Sequence, residues 1–382
     1  MDPLEARALF PITERRIHMN HAGVSPMSSR GRAAVESVTR MLSEEAYLPE
    51  RYQELVDGLR SSLADLVGVT PDQVSITRGT AHGISLLARG LDWKPGDNVV
   101  GARLEYPANL FAWMACRERS VELRLVEPEQ GRVTPEAVLS LVDGRTRVVA
   151  LSFVEFWNGY RVDLAEIGAE CRKRGVILAV DGIQGLGVLP FDLETINADF
   201  VAAGSGKWLM GVPGVGFTAW RQELLERVTP TLVGTGSMAE RMEYFEPRFG
   251  YAKTARKFEE SALSLLDVAA FAAAVSLLQE VGIEVIAERV LGLVDRLAEG
   301  LVERGCHIIE PWPRERSESS GIISFNRPGS TAADLLADLT AAGVITRTHR
   351  DFVRLSPHFY NTEEEVDRVL DALTPHAEQV AG

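Results

Sequence analysis

Short apolar runs spaced along residues 74 to 220, most of them followed by a stretch of helical period, constrain this chain more than any other feature. "VSIT" leads into "AHGISLLARGL", "NVVGAR" into "ANLFAWMACRER", "VELRLVE" into "TPEAVLSLV" and "RVVALSFV" into "DLAEIGAECRKRG". "VILAVD" closes that alternation, and "DFVAAGSG" and "GVGFTAW" continue it without helices. Such runs read as strands that are apolar on both faces, as in a parallel sheet covered by helices. The expected class is α/β, with a large doubly wound, mostly parallel sheet. Ligands of such sheets lie beyond the carboxyl ends of the strands, so the residues following each run are the ones to search.

Between Arg221 and Lys257 the pattern breaks into a Gly- and charge-rich stretch read as loop. Beyond it come two long helical patterns, "LLDVAAFAAAVSLLQEVG" and "IEVIAERVLGLVDRLAEGLVERG". "CHIIEP", "SGIISFN", "TAADLLADLTAAG", "FVRLSP" and "TEEEVDRVLDAL" then alternate strand and helix. This second part reads as a smaller α+β domain with an antiparallel sheet. A chain of 382 residues suits two such units. The expected division gives residues 20–250 to the large domain, and 1–19 with 251–382 to the small one.

A net charge of −14 argues against nucleic acid or an anionic membrane as partner, because either would repel the chain at long range. The first residues carry no cationic segment followed by an apolar one, and no apolar stretch reaches the ~18 residues of a membrane span, so a cytoplasmic location is expected. The three cysteines, Cys116, Cys171 and Cys306, form no CxxC pair and read as small core residues. His18 and His21 have metal-ligand spacing but no third ligand near them in sequence, and no metal is expected.

Four strand-end loops carry chemistry. Gly79, Thr80 and Ala81 lie between a strand and a helix, where free amides and a hydroxyl form a phosphate cup or merely an ordinary turn. Tyr106 follows "NVVGAR" and is either a ring for stacking or a rim tyrosine. Asp181 ends "VILAVD", and a carboxylate closing a buried strand needs a partner, of which a protonated ring nitrogen is one. Gln184, three residues on, adds a further hydrogen-bonding group. Lys207 stands between Gly206 and Trp208 in an apolar setting that lowers an amine's pKa and makes it nucleophilic toward an aldehyde. A cup, a ring, an acid and an amine in this order are the parts of a pyridoxal phosphate site, where the acid keeps the ring nitrogen protonated.

On "MNHAGVSP", "TRGTAHG", "EYPAN", "VDGIQGLG", "GKWLMGVPGVG", "RKFEES" and "VRLSPHFYNTEEEVDRVLDAL", the chain resembles the class V aminotransferase family over nearly its whole length. Within that family it is most similar to the isopenicillin N epimerase-like and selenocysteine lyase-like branch without a catalytic cysteine. The resemblance implies PLP-transferase fold type I, pyridoxal 5'-phosphate as cofactor, an amino acid as substrate and a homodimer with a shared active site. It implies that Lys207 carries the cofactor as a Schiff base, Asp181 pairs with the ring nitrogen, Gln184 approaches the phenolic oxygen and Tyr106 stacks on the ring. Thr80 and the Ala81 amide would hold the phosphate, with Ser205. Arg354 would grip the substrate α-carboxylate, a task that suits a bidentate guanidinium. His21 and Ala22 would lie on the substrate side.

Several positions depart from the family pattern. "AGVITRTHRDFVRLSP" contains no nucleophilic cysteine, so persulfide-forming desulfuration is not expected. Gly206 stands where His is common, and Phe156 where desulfurases carry Asn. Ala262 replaces the Thr that crosses to the partner's phosphate, leaving Ser261 or Ser264 to substitute. The expected activity is β-elimination or transamination on an amino acid. The alternative is epimerisation, which needs a second acid such as Tyr106, His21 or His358, and a cofactor-free scaffold is a further reading. Selection of the side chain falls to segments such as 234–249 and 346–351.

Overall fold

The computed structural model describes residues 1–45, 49–243 and 245–374; Tyr244, within one of the segments expected to select the side chain, lies outside them. Strand β1 (Ile17–His18) stands apart from the seven that follow. These are β2 (Val74–Thr77), β3 (Asn98–Ala102), β4 (Glu122–Val126), β5 (Thr146–Ser152), β6 (Ile177–Asp181), β7 (Phe200–Gly204) and β8 (Gly216–Trp220). They form one sheet in the order β2-β8-β7-β6-β5-β3-β4 and coincide with the apolar runs. Pairing is parallel from β7 to β4 and antiparallel on both sides of β8. The reversal has a simple cause: residues 205–215 turn back against β7 without the crossover helix that parallel pairing needs. β4 is not buried on both faces as expected. It is an edge strand with Glu122 exposed and only Val126 buried, which discourages pairing with another chain.

The opposite edge, β2, is closed by a side chain. Glu259 accepts a hydrogen bond from the Ile76 amide at 2.7 Å, and its two oxygens take the Arg60 guanidinium at 2.7 and 3.0 Å. Arg60 also donates to the Val74 carbonyl at 2.6 Å. A buried ion pair is tolerable when most of its remaining hydrogen bonds are made; here Arg60 Nε alone lacks a partner and lies 3.9 Å from Asp57 Oδ1. The clamp fixes the strand that delivers Gly79.

Helices α1 (Pro3–Arg7), α2 (Ser29–Glu44), α3 (Pro49–Val67), α4 (Thr80–Gly90), α5 (Ala108–Met114), α6 (Pro135–Ser140) and α7 (Leu164–Arg174) surround the sheet. Leu87 and Trp113 pack with Val99, Phe200 and Trp220 in one apolar layer, and Leu63 and Ile167 with Val100, Leu151 and Phe217 in the other. The sheet is therefore covered on both faces, which is what its two-sided apolar runs require. α8 (Gln222–Arg227) opens the stretch expected to be loop.

α9 (Leu265–Val281) and α10 (Ile283–Glu303) meet at an 82° bend, and no single helix among the described residues is long and apolar enough to cross a membrane. After them come β9 (His307–Ile308), β10 (Ile323–Asn326), α11 (Ala332–Ala341), β11 (Val344–Ile345), β12 (Arg347–His349), β13 (Phe352–Leu355) and α12 (Glu363–Ala372). β12-β13-β10-β9 is an antiparallel sheet, and β1 joins β11 in a short parallel ladder. Met19, Leu297, Ile323, Phe325, Val353 and Val366 form the core of this part. Although they follow residue 250, Phe271, Leu278, Ile286 and Val290 pack into the core of the large sheet, so α10 spans both units.

Candidate active site

The carboxyl ends of β6 and β7 bring an acid and an amine together. Asp181 is buried; its Oδ1 accepts from the Ile183 amide at 3.0 Å, while Oδ2 is buried with no partner. Burial pushes its pKa up to about 6, against the backbone hydrogen bond and the Lys207 charge. An orphaned buried carboxylate oxygen lacks an N–H or O–H donor, and such atoms are rare unless a ligand supplies it.

Lys207 lies on the turn between β7 and β8. The Ser205 amide donates to Val215 O and the Gly211 amide to Ser205 O, both at 2.9 Å, and Met210 takes a left-handed φ of 57°. Burial lowers the Lys207 pKa to about 8, with Asp181 opposing the shift and Arg354 adding to it. Ser205, expected among the phosphate ligands, is fully buried and donates its hydroxyl to Val212 O at 2.6 Å, stapling the turn. A Cβ on Gly206 would come 3.0 Å from Pro213 N, which gives a steric reason for glycine at that position.

The cup forms where β2 ends. Gly79, at φ 138°, turns the chain into α4 and leaves the Thr80 and Ala81 amides without intrahelical partners. Thr80 Oγ1 accepts from the Gly204 amide at 2.8 Å, so its own proton is free for another acceptor. His82 joins them, a residue to which the sequence assigned no role. Its Nδ1 accepts from the Arg78 amide at 3.2 Å, which places the proton on Nε2, and that atom is buried without a partner.

Tyr106 presents a half-exposed ring beside the amine and meets Phe156 edge-on at 5.3 Å between centroids. Arg354, on β13, is 2% exposed; its Nη1 donates to the Phe156 carbonyl at 2.7 Å, and Nε has no partner. It pairs with no carboxylate among the described residues, and burial, with Arg347 adding, lowers its pKa to about 10. A buried guanidinium without a counter-ion is costly and suits an anionic ligand.

Gln184 is held on both sides: Nε2 donates to Ala22 O at 3.1 Å and Oε1 accepts from Trp208 Nε1 at 2.9 Å. One Nε2 hydrogen is left for a ligand. His21 and Ala22 sit on this brace. Ala22 donates its amide to Ser356 Oγ at 3.0 Å, and His21 uses Nδ1 on Ser356 O at 3.0 Å and Nε2 on the Tyr360 hydroxyl at 2.9 Å. His358 accepts from the Phe359 amide at 2.8 Å and donates to Trp208 O at 3.1 Å. Burial takes the His358 pKa down to about 4 and that of His21 well below its ordinary value. Neither ring offers a free nitrogen as a second acid.

Two further acids were not singled out in the sequence, although each stands beside a residue that was. Glu105 is buried and takes the Ser152 amide and hydroxyl on its two oxygens. Burial raises its pKa to about 7, with Asp181 contributing. Glu155 is buried with no hydrogen bond to either oxygen, and burial, then Glu105 and Asp181, raises its pKa well above the usual range. Glutamates inside apolar strand-end stretches were the available signal. Ser261 and Ala262 are exposed on a cavity of about 370 Å³ shared with Arg78, His82 and Gly214. Among the described residues no group of three or more His, Cys, Asp or Glu is arranged to hold a metal.

Comparison with known proteins follows the same lines. The family described as Aminotransferase class-V matches residues 32–369. Isopenicillin N epimerase of Streptomyces clavuligerus is 28% identical over 97% of this chain and 97% of its own. The apo structure of cysteine desulfurase from Thermococcus onnurineus NA1 superposes with a TM-score of 0.88 at 23% identity, covering 98% of this chain and 97% of that one. The cystine C–S lyase C-DES, in complex with its reaction product cysteine persulfide, gives a TM-score of 0.89 at 24% identity over 96% of this chain and all of its own.

Proposed function

Because this chain belongs to the class V aminotransferase family, and with it to the pyridoxal-phosphate-dependent transferase fold, we propose that it acts on an amino acid by β-elimination or transamination, with pyridoxal phosphate as its cofactor. The observation that carries the reading is the convergence of Asp181, whose Oδ2 is buried with no partner, the partly buried Lys207 amine, whose pKa burial and Arg354 hold down, and the buried Arg354 guanidinium, which has no carboxylate partner among the described residues. They fit the cofactor and a substrate carboxylate, with the start of α4 suited to the phosphate.

When bound, pyridoxal phosphate supplies an aldehyde for imine formation and a conjugated ring that takes up the electron pair left at the substrate α-carbon. The protein's part follows from its own groups. With a pKa near 8, Lys207 has a neutral fraction at physiological pH, so its Nζ would be able to hold the cofactor through the aldehyde and to take up a proton from the substrate α-carbon. Asp181, ionised above about pH 6, would hold the cofactor's ring nitrogen with its unpartnered Oδ2. Thr80, Ala81 and the His82 Nε2–H would hold the phosphate, Tyr106 would provide a stacking face, and Arg354 would orient the α-carboxylate.

The three cysteines bear on the choice of reaction. Cys116, Cys171 and Cys306 are all buried, and burial raises each thiol pKa, that of Cys171 to about 12. Such thiols are poor nucleophiles, which supports elimination or transamination over a route through an enzyme persulfide. Epimerisation is less favoured because, of its three candidate second acids, His21 and His358 have both ring nitrogens engaged and only Tyr106 is left. The homodimer belongs to the same proposal, with Phe111, Phe245 and Phe249, 66%, 95% and 78% exposed, as side chains a partner subunit would cover.

The test is the visible absorption spectrum of the protein with pyridoxal phosphate, beside a Lys207→Ala variant, followed by an amino-acid panel read for keto acid, ammonia and enantiomer. A lysine-dependent band with keto acid formation supports the reading. Its absence, or racemisation alone, sinks it.

A further inference from the structure

A second cavity adjoins the site through Phe156. Its volume is about 310 Å³, and its walls are Leu104, Phe156, Trp157, Ile309, His349 and Phe352. These residues come from the ends of β3, β5, β9 and β12 and the start of β13, so both units contribute. The Phe156 ring meets Tyr106 edge-on at 5.3 Å and His349 edge-on at 5.8 Å, and its carbonyl is held by Arg354. His349 is near enough to Arg354 and Lys207 that, after burial, their charges help take its pKa down to about 4. The cavity thus lies beside the groups assigned to the α-carboxylate and the α-proton.

Two nitrogens of residues lining the cavity lack partners: Trp157 Nε1 and His349 Nε2 are both buried with no hydrogen bond. An indole N–H can only donate, so it needs an acceptor from elsewhere. The volume is at the lower end of the roughly 300–1,000 Å³ of small-molecule sites, enough for a side chain and too small for a second substrate. Aromatic and aliphatic walls disfavour an unpaired charge. Arg350 and Asp351, exposed at the rim, are opposite in sign.

We propose that this cavity receives the side chain of the amino-acid substrate, and that the preferred side chain is a flat, uncharged ring offering a hydrogen-bond acceptor to the Trp157 indole. The inference rests on the pyridoxal-phosphate reading of the same site. It assigns substrate selection to Phe156, Trp157 and His349, and explains in physical terms why Phe156 occupies a position where an amide would be too polar for the wall.

The experiment is a spectral titration of the holoenzyme with L-tyrosine, L-phenylalanine, L-glutamate and L-alanine, repeated on Trp157→Phe, which keeps a flat ring and removes the donor. Calorimetry with p-cresol on the same two proteins reads the cavity without any chemistry at the cofactor. Expected are tighter binding of both aromatic amino acids than of L-alanine or L-glutamate, and a roughly two- to tenfold weakening of L-tyrosine and p-cresol in the variant with L-phenylalanine unchanged. A holoenzyme that binds L-alanine or L-glutamate as tightly as L-tyrosine, or a variant that treats the two aromatics alike, overturns the inference while the functional reading stands. Failure of the Lys207-dependent band overturns the shared reading and this inference with it.

Discussion

The Lys207 amine lies 5.2 Å from the centroid of the Tyr106 ring. The ring thus serves as a neighbour for a cation as well as a platform for a planar ligand. Tyr106→Phe is expected to bind pyridoxal phosphate as the parent does. Tyr106→Ala is expected to lose about 1 kcal/mol, a several-fold rise in the dissociation constant measured by absorbance titration. Equal binding by the Ala variant would remove Tyr106 from the site.

The amine's environment sets a pH profile. The rate of imine formation between cofactor-free protein and pyridoxal phosphate should rise with pH and level off above about 8, well short of an ordinary lysine. Since the Asp181 charge raises the Lys207 pKa, Asp181→Asn should move the midpoint to lower pH. A stopped-flow series in which the midpoint moves upward would contradict the assignment.

The stabilising contribution of the protonated Asp181 and Glu105 carboxyls to the cofactor-free protein should fall as pH rises from about 4 to 7. Burial raises the folded-state pKa of Asp181 to about 6 and of Glu105 to about 7. Their protonation therefore stabilises the fold fully below the ordinary carboxylate range, and that contribution disappears as pH climbs through 6 and then 7. For Asp181 alone it is on the order of 3 kcal/mol. His21, His349 and His358, whose pKa values burial holds low, contribute in the opposite sense. The measurement is therefore the difference in melting temperature between the parent and Asp181→Asn, which should shift against the parent as pH rises from about 4 to 6; a difference independent of pH would argue against the shift.

Arg354→Lys keeps a positive charge but loses the planar fork. Its affinity for an amino-acid ligand is expected to fall roughly ten- to hundredfold, about 1.5–3 kcal/mol for hydrogen bonds to a charged group. The decarboxylated amine of the same ligand should bind parent and variant alike in spectral titrations. Equal losses for both ligands would mean that Arg354 supports the fold and not the carboxylate.

Replacing Cys116, Cys171 and Cys306 together by alanine should leave any sulfur-releasing activity in place, because all three thiols are buried and poorly ionised. Loss of sulfide production with intact folding, judged by circular dichroism, would restore the desulfurase reading.

How much of this could be read from the sequence depends on what each residue's position costs. The strands were legible because burial on both faces leaves uninterrupted apolar runs, and Asp181 and Lys207 because a charge at the end of such a run is expensive. β4 misled because an edge strand carries some of the same apolar residues, and α8 was hidden by the charged, Gly-rich stretch around it. The long helices α2 and α3 precede the alternating segment and drew no reading. Ser205 was legible as a polar residue near the lysine, but the direction of its hydroxyl is set by closure of the turn onto Val212. His21 was similarly visible, while its partners, Ser356 and Tyr360, lie more than three hundred residues away. The unpartnered nitrogens of Trp157 and His349 exist only where separate strand ends converge, which no local pattern records.

The Arg354–Phe156 hydrogen bond joins the small antiparallel sheet to the segment after β5. A guanidinium tethered in this way has little rotamer freedom left to lose, so recognition at the carboxylate end is preorganised and adds little ordering cost. Discrimination between ligands then falls on the opposite end, where an incoming group must displace solvent and settle among aromatic walls. Changes made around Phe156 should therefore alter which amino acid is chosen more readily than whether one is held.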